Sequence, residues 1–195
     1  ILLSLLFTLS FSSLKAQNSG IISGQDTSRR VITTAVPFLT IAPDPKSGAM
    51  GDVGVATAPD ANSTYWNLAK LAFASQKAAA AFSFTPWLSK YVDDMSISYL
   101  TGFYKLDDNQ AVGLSMTYFD LGDIELTDGS GGSLGSFNPR EFAISATYSR
   151  KLSQNLSLGI SGRFIHSNLS GNITTSPTTD PKPGTSIAAD IGVYH

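Results

Sequence analysis

The sequence predicts an all-β protein, a transmembrane antiparallel β-barrel, and three observations carry that prediction. Strand-length runs between residues 78 and 195 alternate apolar with small or polar side chains. The linkers between those runs are alternately short and long. No stretch reaches the ~18 apolar residues of a spanning helix, although 42% of the chain is hydrophobic and only 14% charged. A period of two marks strands with two unlike faces. Tight turns alternating with long loops are the layout of an outer-membrane barrel.

Residues 1–16 read as a signal peptide without its basic front. Ile1 to Leu14 is an apolar stretch too short to span, and Lys15-Ala16 before Gln17 offers a cleavage point with a small last residue. The competing reading is a buried N-terminal strand, but a polar Ser/Asn/Gly-rich linker over 17–30 follows directly. Residues 31–76 lack lipid-facing alternation and carry Pro37, Pro43, Pro45 and Pro59, so only short pieces can be regular. Val53–Thr57 is a possible short strand and Asn67–Ala74 a helical turn or two. The segment is expected to form a hatch inside the barrel, since Phe38, Leu39, Ile41, Met50, Trp66, Leu71 and Phe73 need burial. A periplasmic tail is the alternative. The candidate hatch residues are Pro37, Phe38, Asp44, Gly48, Met50, Gly51, Asp52, Gly54 and Asn67.

Residues 77–195 form the first part of the barrel. Strands are expected near 78–87, 95–106, 110–119, 141–152, 156–166 and from about 185. In the second, Met95, Ile97, Tyr99 and Phe103 form the apolar phase, the phase expected to face lipid. In the fourth it is Phe142, Ile144, Ala146 and Tyr148, against Ala143, Ser145, Thr147 and Ser149. Asp107-Asp108-Asn109 and Ser153-Gln154-Asn155 have tight-turn chemistry. The linkers 120–140 and 168–184 are long. With short turns in the periplasm the first strand runs outward, so the hatch enters from the periplasmic side. Trp87 and Tyr118 then fall near the outer aromatic girdle, Tyr104 and Tyr148 near the inner one.

About six strands cannot close around a hatch of this size, and an open edge in lipid leaves backbone groups unpaired at several kcal/mol each. The chain starts without Met and stops inside an alternating run, so it is read as a fragment that continues past His195.

Little points to catalysis. No cysteine is present, which removes disulfides, thiol chemistry and Cys-bound metals from this segment. A formal net charge of −2 gives no footprint for nucleic acid. His166 sits on the apolar phase at a strand end and reads as an interface residue. Asp120, Asp123, Glu125 and Asp128 do not match an EF-hand loop and read as a solvated acidic loop. No cofactor or metal is expected. Arg163 and Asp190 fall on the small, polar phase and are expected to face the lumen. They could pair with hatch residues such as Asp44, Lys46 or Asp52, or stay hydrated.

Residues 37–44 (PFLTIAPD), 48–57 (GAMGDVGVAT), 59–62 (PDAN) and 85–88 (TPWL), with the runs 82–106 and 137–153, carry a specific resemblance. The sequence over roughly 31–195 resembles the PorV (LptO) family of outer-membrane proteins of the Bacteroidetes type IX secretion system. That family is similar in turn to FadL-like transporters of hydrophobic compounds, which implies a barrel of about 14 strands over an N-terminal hatch. The hatch motif Asn-Pro-Ala of those transporters is Asn67-Leu68-Ala69 here, so the local turn is not carried over. The resemblance implies a protein without catalytic activity in the outer membrane. Its implied partners are a SprA/Sov-like translocon, secreted cargo with C-terminal signal domains, and a PorU-like sortase and attachment complex. The outer loops are the expected contacts, with Phe137, Asn138, Pro139 and Arg140 in one and 168–184 in the other. The alternatives are a FadL-like transporter and, further off, a porin or outer-membrane enzyme.

Overall fold

The computed structural model describes residues 36–91, 94–127, 129–169 and 183–195. The expected signal peptide, the linker 17–30, Asp128 and nearly all of 168–184 lie outside them.

Six antiparallel strands form one sheet in the order β1-β2-β3-β6-β7-β8. They are β1 (Ala78–Pro86), β2 (Ser96–Lys105), β3 (Gln110–Asp120), β6 (Arg140–Lys151), β7 (Ser157–Asn168) and β8 (Gly184–Tyr194). The linker between β3 and β6 is not all loop. It holds a separate hairpin of β4 (Ile124–Thr127) and β5 (Ser133–Phe137). Its Gly- and Ser-rich composition hid two very short strands. The tight turns close as their chemistry requires: Asn109 N donates to the Asp107 carboxylate (2.7 Å) and Asn155 N to Ser153 Oγ (3.3 Å).

Strand register aligns the alternation of neighbouring strands. One row on the uncovered face runs Phe82, Leu100, Met116, Ile144, Phe164, Ile187, one residue from each strand. All six are exposed. Toward the tight turns a further row runs Ala78, Tyr104, Val112, Tyr148, Ile160, Ile191, and toward the long loops another runs Phe84, Ser98, Tyr118, Phe142, His166, Thr185. These outer rows stand six residues apart, about 20 Å along the strands. His166 lies here, its ring 5.1 Å from that of Phe142.

The opposite face is mostly small and polar at its centre and apolar toward its two ends, and the N-terminal segment covers it. This segment is a chain of short pieces: a 3-10 turn at Pro37–Thr40, α1 (Pro45–Ala49), α2 (Ser63–Trp66) and a 3-10 helix at Leu68–Phe73. Val53–Thr57, read as a possible strand, is turn. The segment runs the length of the sheet. At the long-loop end Phe38 is buried among Ile97, Phe119, Ala143 and Ile165. At the tight-turn end Leu71, Ala74, Phe103 and Ala111 form a second cluster, and the chain there turns into β1.

Two expectations about which way side chains face are corrected. In β2, Ile97, Tyr99 and Phe103 are buried on the covered face, while Leu100 and Tyr104 are exposed on the other. The apolar phase of β2 faces inward because the covering segment is itself apolar at both ends. Trp87 does not join an outward aromatic row. It packs against the Phe38 cluster, one residue past the end of β1 and on the inward phase.

Candidate functional site

The candidate site is the covered face with the segment seated on it, together with the rim at the long-loop end. Its centre is the 3-10 helix Leu68–Phe73. Glycines on two adjoining strands make room for it. A Cβ on Gly159 would stand 2.4 Å from Leu68 Cδ1 and 3.0 Å from the Ala69 nitrogen, and one on Gly192 2.8 Å from Asn67 Oδ1. Gly159 and Gly192 face each other across β7 and β8. Hydroxyls from the strand walls then hold the helix backbone. Ser149 Oγ (2.9 Å) and Ser157 Oγ (2.7 Å) both donate to the carbonyl of Ala69, and Ala72 N donates to Ser149 Oγ (3.3 Å). Asn67 caps the helix by accepting from Ala69 N (3.1 Å) and donates from Nδ2 to the Val193 carbonyl of β8 (3.0 Å). A second tie joins α2 to β2. Thr64 Oγ1 lies 3.0 Å from Tyr99 Oη and 2.6 Å from Thr101 Oγ1, and Thr101 donates to the carbonyl of Ala61 (3.0 Å).

Lys70 was not singled out from the sequence. It is 0% exposed. Its ammonium donates to the Gly54 carbonyl (2.8 Å) and to Thr57 Oγ1 (3.2 Å), clamping the 53–57 turn. Burial holds its pKa below the ordinary lysine value. Burial likewise raises the Tyr65 phenol, which donates to the Leu39 carbonyl (3.1 Å). Glu141 is another missed residue, buried on the covered face and accepting from Ser167 Oγ (2.6 Å).

The sequence-predicted residues fall into three groups. Asp44 is buried and caps α1, with Pro45 in the first turn, by accepting from Lys46 N (3.0 Å). It also accepts from the Ser47 hydroxyl and from Trp66 Nε1 (3.3 Å). Gly54 lies under that indole, where a Cβ would come within 2.2 Å of Nε1. Gly51 (φ 81°) and Asp52 (φ 62°) end α1 with two left-handed residues, a conformation glycine and aspartate tolerate best. Pro37 opens the first 3-10 turn. Met50, expected to be buried, instead caps the end of α1 and is exposed, while nothing in the contacts of Gly48 requires glycine.

Arg163 and Asp190 do not pair with Asp44, Lys46 or Asp52. They pair with each other across β7 and β8 (Nη2–Oδ2 3.1 Å), and Arg163 Nε donates to Ser145 Oγ (3.0 Å). Lys46 is 3.6 Å from Asp60 instead. Neighbouring strands bring the two wall charges together, whereas Asp44 is saturated within its own segment.

At the rim, Asn138 Nδ2 donates to Asp123 Oδ1 (3.2 Å). Pro139 is fully buried and its carbonyl accepts from Leu121 N (3.1 Å). Phe137 ends β5 half-buried, and Arg140 is exposed at the start of β6 opposite Asp120. Asn138 and Pro139 therefore build the base of the hairpin, and Arg140 is the residue among the four that presents itself outward.

Fold and site define a β-wall protein with an apolar open face and, beneath a covering that its own N-terminal segment supplies, a face of small hydroxylated residues flanked by two apolar clusters. The family model described as "Type IX secretion system protein PorV" matches residues 24–195. The chain belongs to the PorV family of type IX secretion system proteins. Among curated proteins no match is found. Among the described residues no helix is long and apolar enough to cross a membrane, a fact without bearing on strands.

Proposed function

We propose that this chain forms the first part of an outer-membrane β-barrel whose N-terminal segment is a hatch, and that the whole protein carries cargo in type IX secretion without catalysing a reaction. It would take cargo proteins by their C-terminal signal domains from the translocon and deliver them to the attachment complex with its sortase. The observation that supports this best is the combination of an exposed apolar face with a fastened hatch. The six-strand row from Phe82 to Ile187 is a lipid-facing surface in water-free surroundings. On the other side, the paired serine donors to Ala69 and the tie from Asn67 to β8 hold the hatch in a glycine-lined seat. A fastened hatch suits a protein that works with its rim and wall, and it argues against a FadL-like pathway through the lumen. The short turns then face the periplasm and the β4–β5 hairpin faces outward with Arg140 and Phe137 at its foot.

The deciding experiment is the secretome of a strain lacking the full-length gene. Cargo bearing the C-terminal signal domain should leave the cell surface and accumulate inside. If cargo still reached the surface while uptake of long-chain hydrophobic compounds fell, the carrier reading would be replaced by the transporter one.

A further inference from the structure

The turn after β1 carries apolar surface where the sheet has already become polar. On the uncovered face the rows stay apolar or aromatic as far as Phe84, Tyr118, Phe142 and His166. The next row toward the long loops is Pro86, Ser96, Asp120, Arg140 and Asn168. This switch marks the edge of the apolar band. Beyond it, in the turn that follows β1, Leu88 is 52% exposed and Tyr91 86% exposed, with exposed Lys90 between them. Leu88 also adopts φ 54°, a left-handed conformation that a branched apolar side chain rarely takes. The turn is nonetheless closed at both ends, by Trp87 N donating to the Met95 carbonyl (2.9 Å) and Tyr91 N to the Leu88 carbonyl (2.7 Å). Trp87 is drawn inward onto the Phe38 cluster.

In water this arrangement is unfavourable twice, once in backbone strain and once in exposed apolar surface. A lipid layer removes the second cost. We infer that the Trp87–Tyr91 turn is a membrane-interface anchor: Leu88 and Tyr91 lie at the boundary between acyl chains and headgroups, and Lys90 reaches up to the lipid phosphates. Aromatic and basic side chains at such a height are the ones an interface favours. This inference rests on the reading of the apolar face as lipid-facing.

The chain has no cysteine, so single labels are easy to place. Bimane is attached to the full-length protein carrying L88C, Y91C, M116C or E125C, taking cysteine-free background for any cysteines elsewhere. Each protein is reconstituted in phosphatidylethanolamine–phosphatidylglycerol vesicles. Lipids brominated high on the acyl chain and aqueous iodide serve as quenchers. Positions 88 and 91 should be quenched at least about twofold more by brominated lipid than position 125, with 116 lipid-quenched as well. If 116 meets lipid while 88 and 91 respond only to iodide, or to neither quencher, the anchor is refuted and the lipid-facing sheet stands. If 116 itself responds only to iodide, the lipid-facing reading falls and takes the anchor with it.

Discussion

Gly159 and Gly162 lie three residues apart on β7 and point to opposite faces, so the same substitution at each asks two different questions. At Gly162 an added Cβ meets nothing within 4 Å. Alanine there restricts the unfolded chain and is expected to be neutral or to stabilise by about 0.4–1 kcal/mol. At Gly159 the new Cβ would stand 3.0 Å from Ala69 N and 3.1 Å from its Cα, as well as 2.4 Å from Leu68 Cδ1. The leucine can turn aside, but the backbone cannot, so the 3-10 helix must lift. Overpacking of this kind costs about 1–3 kcal/mol. Lifting Ala69 also stretches both serine bonds to its carbonyl, each worth about 1 kcal/mol. The expected gap between G159A and G162A is therefore about 2–4 kcal/mol. Urea unfolding of the full-length protein in lipid vesicles measures it, and hydrogen exchange at the amides of residues 69 and 72 should rise only in G159A. Adding L68A to G159A should recover part of the loss by removing the flexible half of the clash. Equal stabilities for G159A and G162A, within about 0.5 kcal/mol, would mean that the helix does not sit in the glycine seat.

Two further predictions rest on separate contacts. Lys70 carries a pKa below its ordinary value through burial, so between that lowered value and about 10.4 the unfolded chain binds more protons than the folded one. Stability should rise with pH through this alkaline window, and K70M should remove the slope while costing about 1–3 kcal/mol from the donors lost to Gly54 and Thr57; a slope unchanged in K70M refutes the assignment. On the open face, I144R should destabilise the protein in vesicles by about 2–4 kcal/mol. Arginine at Ser145, one residue away on the covered face, should instead disturb the Arg163 contact, and its penalty should grow as salt is lowered. Indifference of the vesicle-embedded protein to I144R would contradict a lipid-facing row.

The strands were legible because most of them carry unlike side chains on their two faces, one of which is covered by the N-terminal segment. Where β3, β6 and β7 place Ser, Gly and Thr against the covering and Leu, Ile and Phe outward, the alternation gives both the element and its orientation. In β2 it gave the element but the wrong side, since a covering that buries Phe38 and Leu71 asks for Ile97, Tyr99 and Phe103 opposite it. The hairpin β4–β5 escaped notice because four or five residues in a Gly/Ser-rich linker hold too few alternations to register. Lys70 escaped because a lysine's burial depends on a carbonyl from a distant turn, and no local pattern announces that. The charges Arg163 and Asp190 stand on the small, polar phase of their strands, and their partners are set by strand register rather than by proximity in sequence.

The N-terminal segment is made first, and its 3-10 helix is seated last. Ala69 leaves the ribosome well ahead of Ser149 and Ser157, which stand 80 and 88 residues further on, and Asn67 must wait 126 residues for Val193. Each such loop carries a closure entropy that grows with the logarithm of its length, and long-range pairing of this kind is slow. The seat of the 3-10 helix on β6, β7 and β8 therefore closes only after those strands are laid down, whereas α2 can be tied to β2 across 35 to 40 residues. An error in the spacing of the later strands would surface first as a loose N-terminus.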